Sequence, residues 1–168
     1  MKINNWLEGH WALILGASSG FGGEVSEKLS EYGVNIIGVH LDRKGTMPNV
    51  EKIISKIEAN GSKAKFFNIN AADEEKRNEV LNEASSFLTN SEKKIKILLH
   101  SLAFGSLKPY LSDDPSSNVT QKNMEMTMDV MANSIVYWTQ GIVERSLFSK
   151  NGRIYGMTSA GSRKIWPT

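Results

Sequence analysis

Residues 11–22 read WALILGASSGFG. The apolar run from Trp11 to Leu15, closed by Gly16, is short enough for a buried strand. Gly16, Gly20 and Gly22 then fall in GxxxGxG spacing. The segment GEVSEKLSEYG (23–33) puts Val25 and Leu29 at i,i+4 ahead of a closing glycine, which predicts a helix. A glycine-rich turn joining strand to helix can be only a tight connection, but this pattern also suits an anion. Gly16 lets the chain turn sharply. Gly20 and Gly22 carry no Cβ, so backbone can approach a pyrophosphate and helix can pack on strand. The N–H groups opening the helix then face the charge. Gly16, Ser18, Ser19, Gly20, Phe21 and Gly22 are the candidate phosphate-binding residues.

Working outward, strand and helix alternate. VNIIGVHL (34–41) is a second strand. PNVEKIISKIEANG (48–61) sets Val50, Ile53, Ile54 and Ile57 on one helical face, with Pro at its start and Gly at its end. AKFFNIN (64–70) is a third strand, and 72–90 a helix capped by Asp73 with Glu74 and Glu75 in its first turn. KIKILLHSLA (94–103) is a fourth strand and 106–120 a Pro/Ser/Asp-rich loop. Residues 121–147 predict one long helix, with Met124, Met128, Met131, Ile135, Trp138 and Ile142 as a core-facing stripe. GRIYGMTS (152–159) is a fifth strand. Alternation of this kind implies right-handed crossovers and a parallel sheet covered on both faces. The expected fold is a Rossmann-type, doubly wound three-layer α/β/α domain spanning 1–168 and incomplete at its C-terminus.

Composition narrows the classes. The chain has 168 residues, 23% charged, with a net charge of +2, too small and too dispersed to argue for nucleic acid. It has no Cys, which excludes disulfides and thiolate metal sites and is compatible with a reducing, cytoplasmic setting. Its three His lie far apart, so no metal site is expected. MKINNWLEGHW lacks the apolar core of a signal peptide, and no apolar run approaches the ~20 residues that span a bilayer.

In doubly wound sheets ligands bind at the carboxyl ends of strands. After strand two, the position that reads a ribose is His40, followed by Leu41, Asp42, Arg43 and Lys44. With no carboxylate in the slot and Arg43 close by, a 2′-phosphate fits; NADP(H) is favoured, NAD(H) the alternative because of Asp42. After strand three, Asn70 and Ala71 are candidates for the adenine edge, although Asn70 could equally just close the strand. After strand four, Ser101, Leu102 and Ala103 leave room for a flat ligand; His100 reads as a satisfied strand residue rather than an acid or base.

These residues carry a resemblance. LILGASSGFG (13–22) resembles the glycine signature of the short-chain dehydrogenase/reductase family, with Leu15 where that family often has Thr. HSLAF (100–104) is similar to the His-Ser-(Ile/Leu)-Ala-Phe segment of its enoyl-acyl-carrier-protein reductase branch. Many members carry a catalytic Asn after an Asp-Val-like pair in the long helix; here Met131 follows Asp129-Val130, and the enoyl reductases likewise lack the Asn.

The resemblance implies NAD(P)H-dependent reduction of the enoyl double bond of an acyl thioester, in fatty acid biosynthesis, on acyl carrier protein or coenzyme A. The alternatives are a ketoacyl reductase or alcohol dehydrogenase of the same family, or a non-catalytic dinucleotide-binding module. It implies a catalytic Tyr two positions past Pro167, followed by a Lys, both outside these 168 residues. Ser159, two before Gly161, stands where a Tyr often sits in the branch and is the one catalytic candidate within the chain. Tyr155, expected to be buried in strand five, and Tyr110 are out of register. The family also implies a homo-oligomer, commonly a tetramer, and an incomplete sheet implies that strand five is an exposed apolar edge.

Overall fold

The computed structural model describes residues 6–159. Five parallel strands form one sheet in the order β3-β2-β1-β4-β5. They are β1 (Trp11–Leu15), β2 (Asn35–His40), β3 (Ala64–Asn68), β4 (Ile95–His100) and β5 (Phe148–Gly156). Helices α1 (Gly20–Ser30), α2 (Met47–Ala59) and α3 (Glu74–Leu88) connect the first four strands. α4 (Gln121–Met128) and α5 (Ser134–Glu144) lie between β4 and β5. This is the Rossmann-like three-layer arrangement that alternating strands and helices dictate.

β1 is central because every one of its residues is apolar and every one is buried. Trp11, Leu13 and Leu15 point into a core shared with Leu81 and Leu88 of α3 and Trp138 and Ile142 of α5. Ala12 and Ile14 point the other way, onto Ile53 and Ile57 of α2. A strand covered on both faces has no side to give to polar residues. Asp73 caps α3 as expected, accepting a hydrogen bond from the Lys76 backbone N–H at 3.0 Å.

Three expectations are corrected. Residues 121–147 are not one regular helix. A π-helical turn at Asp129–Asn133 separates α4 from α5, and the Ser134 N–H reaches back to the Asp129 carbonyl. A π turn holds an extra residue and so rotates everything before it relative to everything after it. Trp138 and Ile142 are therefore buried, whereas Met124, Met128 and Met131 are exposed, Met131 at 41%. Next, strand five begins at Phe148 rather than 152. Phe148 pairs with Ile95, and pairing resumes only at Arg153 opposite Ile97, so 149–152 bulge out around Asn151, with φ of 59°. The polar Lys-Asn-Gly of that bulge hides the strand's start from a pattern search. Finally, Tyr155 is 48% exposed rather than buried, because β5 is an edge strand. Gly161 and Pro167 lie outside the described residues.

Among the described residues no helix is long and apolar enough to cross a membrane.

Candidate functional site

The sheet order places β1 between β2 and β4, and the chain reverses direction across the sheet there. A cavity of about 320 Å³ opens at the carboxyl ends of these strands, within the range of small-molecule pockets. Its floor is the turn after β1. Gly16 has φ of 90°, and a Cβ there would run into the backbone of Ser101; the Gly16 and Ala17 N–H groups both bond to the Val39 carbonyl. A Cβ on Gly22 would strike the carbonyl of Gly16. Gly16 thus lets the segment after β4 close against the turn, and Gly22 lets α1 close against the end of β1. Gly22 serves this packing and does not line the cavity, whereas Gly16, Ser18, Ser19, Gly20 and Phe21 do. α1 opens at Gly20 rather than at 23, and no side chain caps it. Its first N–H groups are therefore available to an anion.

The wall on the β2 side holds Val39, His40, Leu41, Ile69, Asn70 and Ala71. His40 is buried, and its Nδ1 lies 2.9 Å from Asp42 Oδ2. Burial pushes the Asp42 carboxyl up, but hydrogen bonds from Ser18, Thr46 and His40 outweigh it and hold the group below the usual carboxylate range. Asn70 turns its Oδ1 onto the Ala72 N–H at 3.0 Å, which leaves its NH2 as the group to offer a ligand. The Ala71 carbonyl accepts the indole N–H of Trp138 at 2.8 Å. Arg43 is exposed on the turn after β2 and is not among the lining residues.

The opposite wall holds Ser101, Leu102, Ala103, Phe104 and Val130. The Ser101 N–H bonds to the Leu15 carbonyl at 2.9 Å, fixing this segment against β1. His100 is buried just behind it. Its Nε2 lies 2.9 Å from Ser134 Oγ, and that hydroxyl donates to the Val130 carbonyl at 2.8 Å. With the hydroxyl proton so used, Nε2 is the donor to Ser134. Burial pushes the imidazole pKa down, which keeps His100 neutral. Ser159 is exposed three residues past the end of β5 and is not among the lining residues.

Eleven of the fourteen residues singled out from sequence therefore share one cavity; Gly22, packed directly behind the turn, Arg43 and Ser159 are not among its lining residues. Val39, Leu41, Ile69 and Val130 were not singled out. The first three flank candidate positions in β2 and after β3. Val130 had no signal beyond its place beside Met131, because the π turn brings it in. Among the described residues, no group of three or more His, Cys, Asp or Glu is placed to hold a metal ion.

The model of a family described as Enoyl-(Acyl carrier protein) reductase matches residues 16–168. No curated protein matches the sequence significantly. Among solved structures, the chain is similar to a short-chain dehydrogenase/reductase from Serratia marcescens (17% identity, TM-score 0.75, 95% of this chain and 59% of that one). It is also similar to a short chain dehydrogenase from Burkholderia cenocepacia in complex with NADP (18% identity, TM-score 0.70, 94% and 58%). A third is L-sorbose reductase from Gluconobacter frateurii, complexed with NADPH and L-sorbose (18% identity, TM-score 0.65, 83% and 48%). At these identities the likeness shows the fold, and the chain spans less than three-fifths of each of these structures. The family match over 16–168, on a sheet of order 3-2-1-4-5 with a glycine turn at its reversal, places the chain in the short-chain dehydrogenase/reductase family.

Proposed function

We propose that the protein is a nicotinamide-dinucleotide-dependent oxidoreductase that reduces the enoyl double bond of an acyl thioester. The observation that carries the dinucleotide is the cavity itself. Uncapped α1 N–H groups lie at its floor, a ribose-reading turn on its β2 side and small residues on its β4 side. The adenosine half would lie over β2 and β3, the pyrophosphate on Ser18–Gly20, and the nicotinamide against Ser101–Ala103. The cofactor supplies a hydride; the chain's own residues bind and orient it.

NADP(H) is the form proposed. Asp42 accepts from Ser18, Thr46 and His40, which occupies most of its hydrogen-bonding capacity and makes it a poor reader of ribose hydroxyls. Arg43 and Lys44 follow directly, and a 2′-phosphate at the rim would draw them in. Replacing Arg43 by Ala should raise the KM for NADPH about tenfold and leave that for NADH unchanged, since a charged hydrogen bond contributes roughly 1.5–3 kcal/mol. Equal effects on both cofactors would refute the assignment.

The enoyl preference rests on HSLAF and on Met131. Met131 sits in the π turn with its Sδ toward Gly105, so no amide occupies the position where many family members have Asn. The acyl chain would run past Phe104 toward the 106–120 loop, its carrier being acyl carrier protein or coenzyme A. The whole protein is proposed to form a homo-oligomer. In the whole protein, with the Tyr and Lys expected past residue 168, NADPH consumption with a crotonyl thioester and none with an acetoacetyl thioester is the expected result, whereas these 168 residues alone should bind without turnover. The reverse preference would favour a ketoacyl reductase, and consumption of neither, with tight NADPH binding, a non-catalytic binding module.

A further inference from the structure

Helix α5 reaches both sides of the crevice with two side chains one turn apart. Ser134 bonds to His100 at the end of β4, and Trp138 bonds to the Ala71 carbonyl beyond β3. The two lie about 6 Å apart along the helix axis. All four residues are buried: Ser134 and Trp138 fully, Ala71 and His100 nearly so. β1, where the chain reverses across the sheet, lies between the strands they hold. Ala71 lines the cavity, and His100 directly precedes the lining segment Ser101–Phe104.

Core packing alone does not call for this arrangement. A leucine or phenylalanine could fill the volume of Trp138, and an alanine that of Ser134. What the chosen residues add is a directed N–H and a hydroxyl, each aimed at a different strand end. In a dry interior such bonds are costly to leave unmade, so they fix the position of their partners as well as contributing stability.

We infer that α5 is a strut across the dinucleotide crevice, with Trp138 and Ser134 as positioning residues. Trp138 sets the adenosine wall through Ala71, and Ser134 sets the nicotinamide wall through His100. The inference rests on the dinucleotide reading above, and it adds that the two halves of the cofactor are positioned by separate side chains of one helix.

Two ligands separate the anchors: ADP-ribose bearing the 2′-phosphate (hereafter ADP-ribose), which reports on the adenosine half, and NADPH, which reports on both. They are titrated calorimetrically into the protein expressed from its own gene. Trp138→Phe keeps a ring and loses the N–H; it should weaken ADP-ribose and NADPH by the same factor, about tenfold. Ser134→Ala should weaken NADPH several-fold and leave ADP-ribose unchanged. Ile142→Val, buried one turn beyond Trp138 with no polar atom, should lower the melting temperature and change neither affinity. The strut is overturned if Trp138→Phe leaves ADP-ribose affinity as in the wild type, or if Ile142→Val reproduces its loss. Should Trp138→Phe fail to fold, Ser134→Ala decides: equal losses for both ligands, or none for either, overturn it. Wild-type protein that binds no ADP-ribose at all overturns the dinucleotide reading itself, and the strut with it.

Discussion

Gly20 sits where the first turn of α1 meets the cavity, and nothing lies within 4 Å of where its Cβ would be. Its φ is +52°, a value aspartate tolerates better than most residues. Gly20→Asp should therefore fold normally while pointing a carboxylate at the proposed pyrophosphate. Two like charges about 4 Å apart at an intermediate dielectric repel by roughly 4 kcal/mol. Dinucleotide affinity should fall by more than about a hundredfold, with an unchanged circular dichroism spectrum; wild-type affinity would remove the glycine turn from the site. At this scale much was legible. Gly16 and Ser101 could be placed because each lies directly after a strand end. The role of Asp42 could not. The sequence shows it as a carboxylate near a basic pair, and only the fold reveals that Ser18, Thr46 and His40 already engage it.

Between elements, His100 joins β4 to the start of α5. Its imidazole pKa is pushed below the ordinary 6.5 by burial. The unfolded chain therefore takes up a proton that the folded chain refuses as pH drops below 6.5, and stability falls over that interval until the lowered folded value is reached. His10, also lowered chiefly by burial, acts in the same direction. Melting temperatures should decline on acidification through this window, and His100→Gln should flatten part of the decline. A profile identical to wild type would mean that His100 is not held neutral. Helix periodicity located α2 and α3 well, because their apolar faces follow one uninterrupted register. It failed between α4 and α5. The apolar residues keep their four-and-three spacing straight through Asp129–Asn133, so the sequence carries no mark of the extra residue in that turn. The Trp138–Ala71 bond was equally hidden, since it links positions 67 residues apart.

At the largest scale, among the described residues the sheet is well covered at its centre and bare along β5. β5 forms an edge, with Ile154, Tyr155 and Met157 between 44% and 48% exposed. An apolar edge strand invites pairing with another chain. The 168-residue chain should self-associate with rising concentration, and Ile154→Lys should suppress this in light scattering; persistent association in the variant would place the contact elsewhere. The overall architecture was readable because parallel strands need helical crossovers, so strand and helix must alternate along the chain. The exposure of Tyr155 was not, since it depends on what lies beside β5. The π turn has one more consequence, for variation. Because it offsets the methionines of α4 from the buried residues of α5, changes at Met124 or Met128 are insulated from the packing beneath Trp138 and Ile142. The exposed surface of the outer half of this connection can drift, or be engineered, while the packing of the inner half, and with it the strut proposed there, is inherited intact.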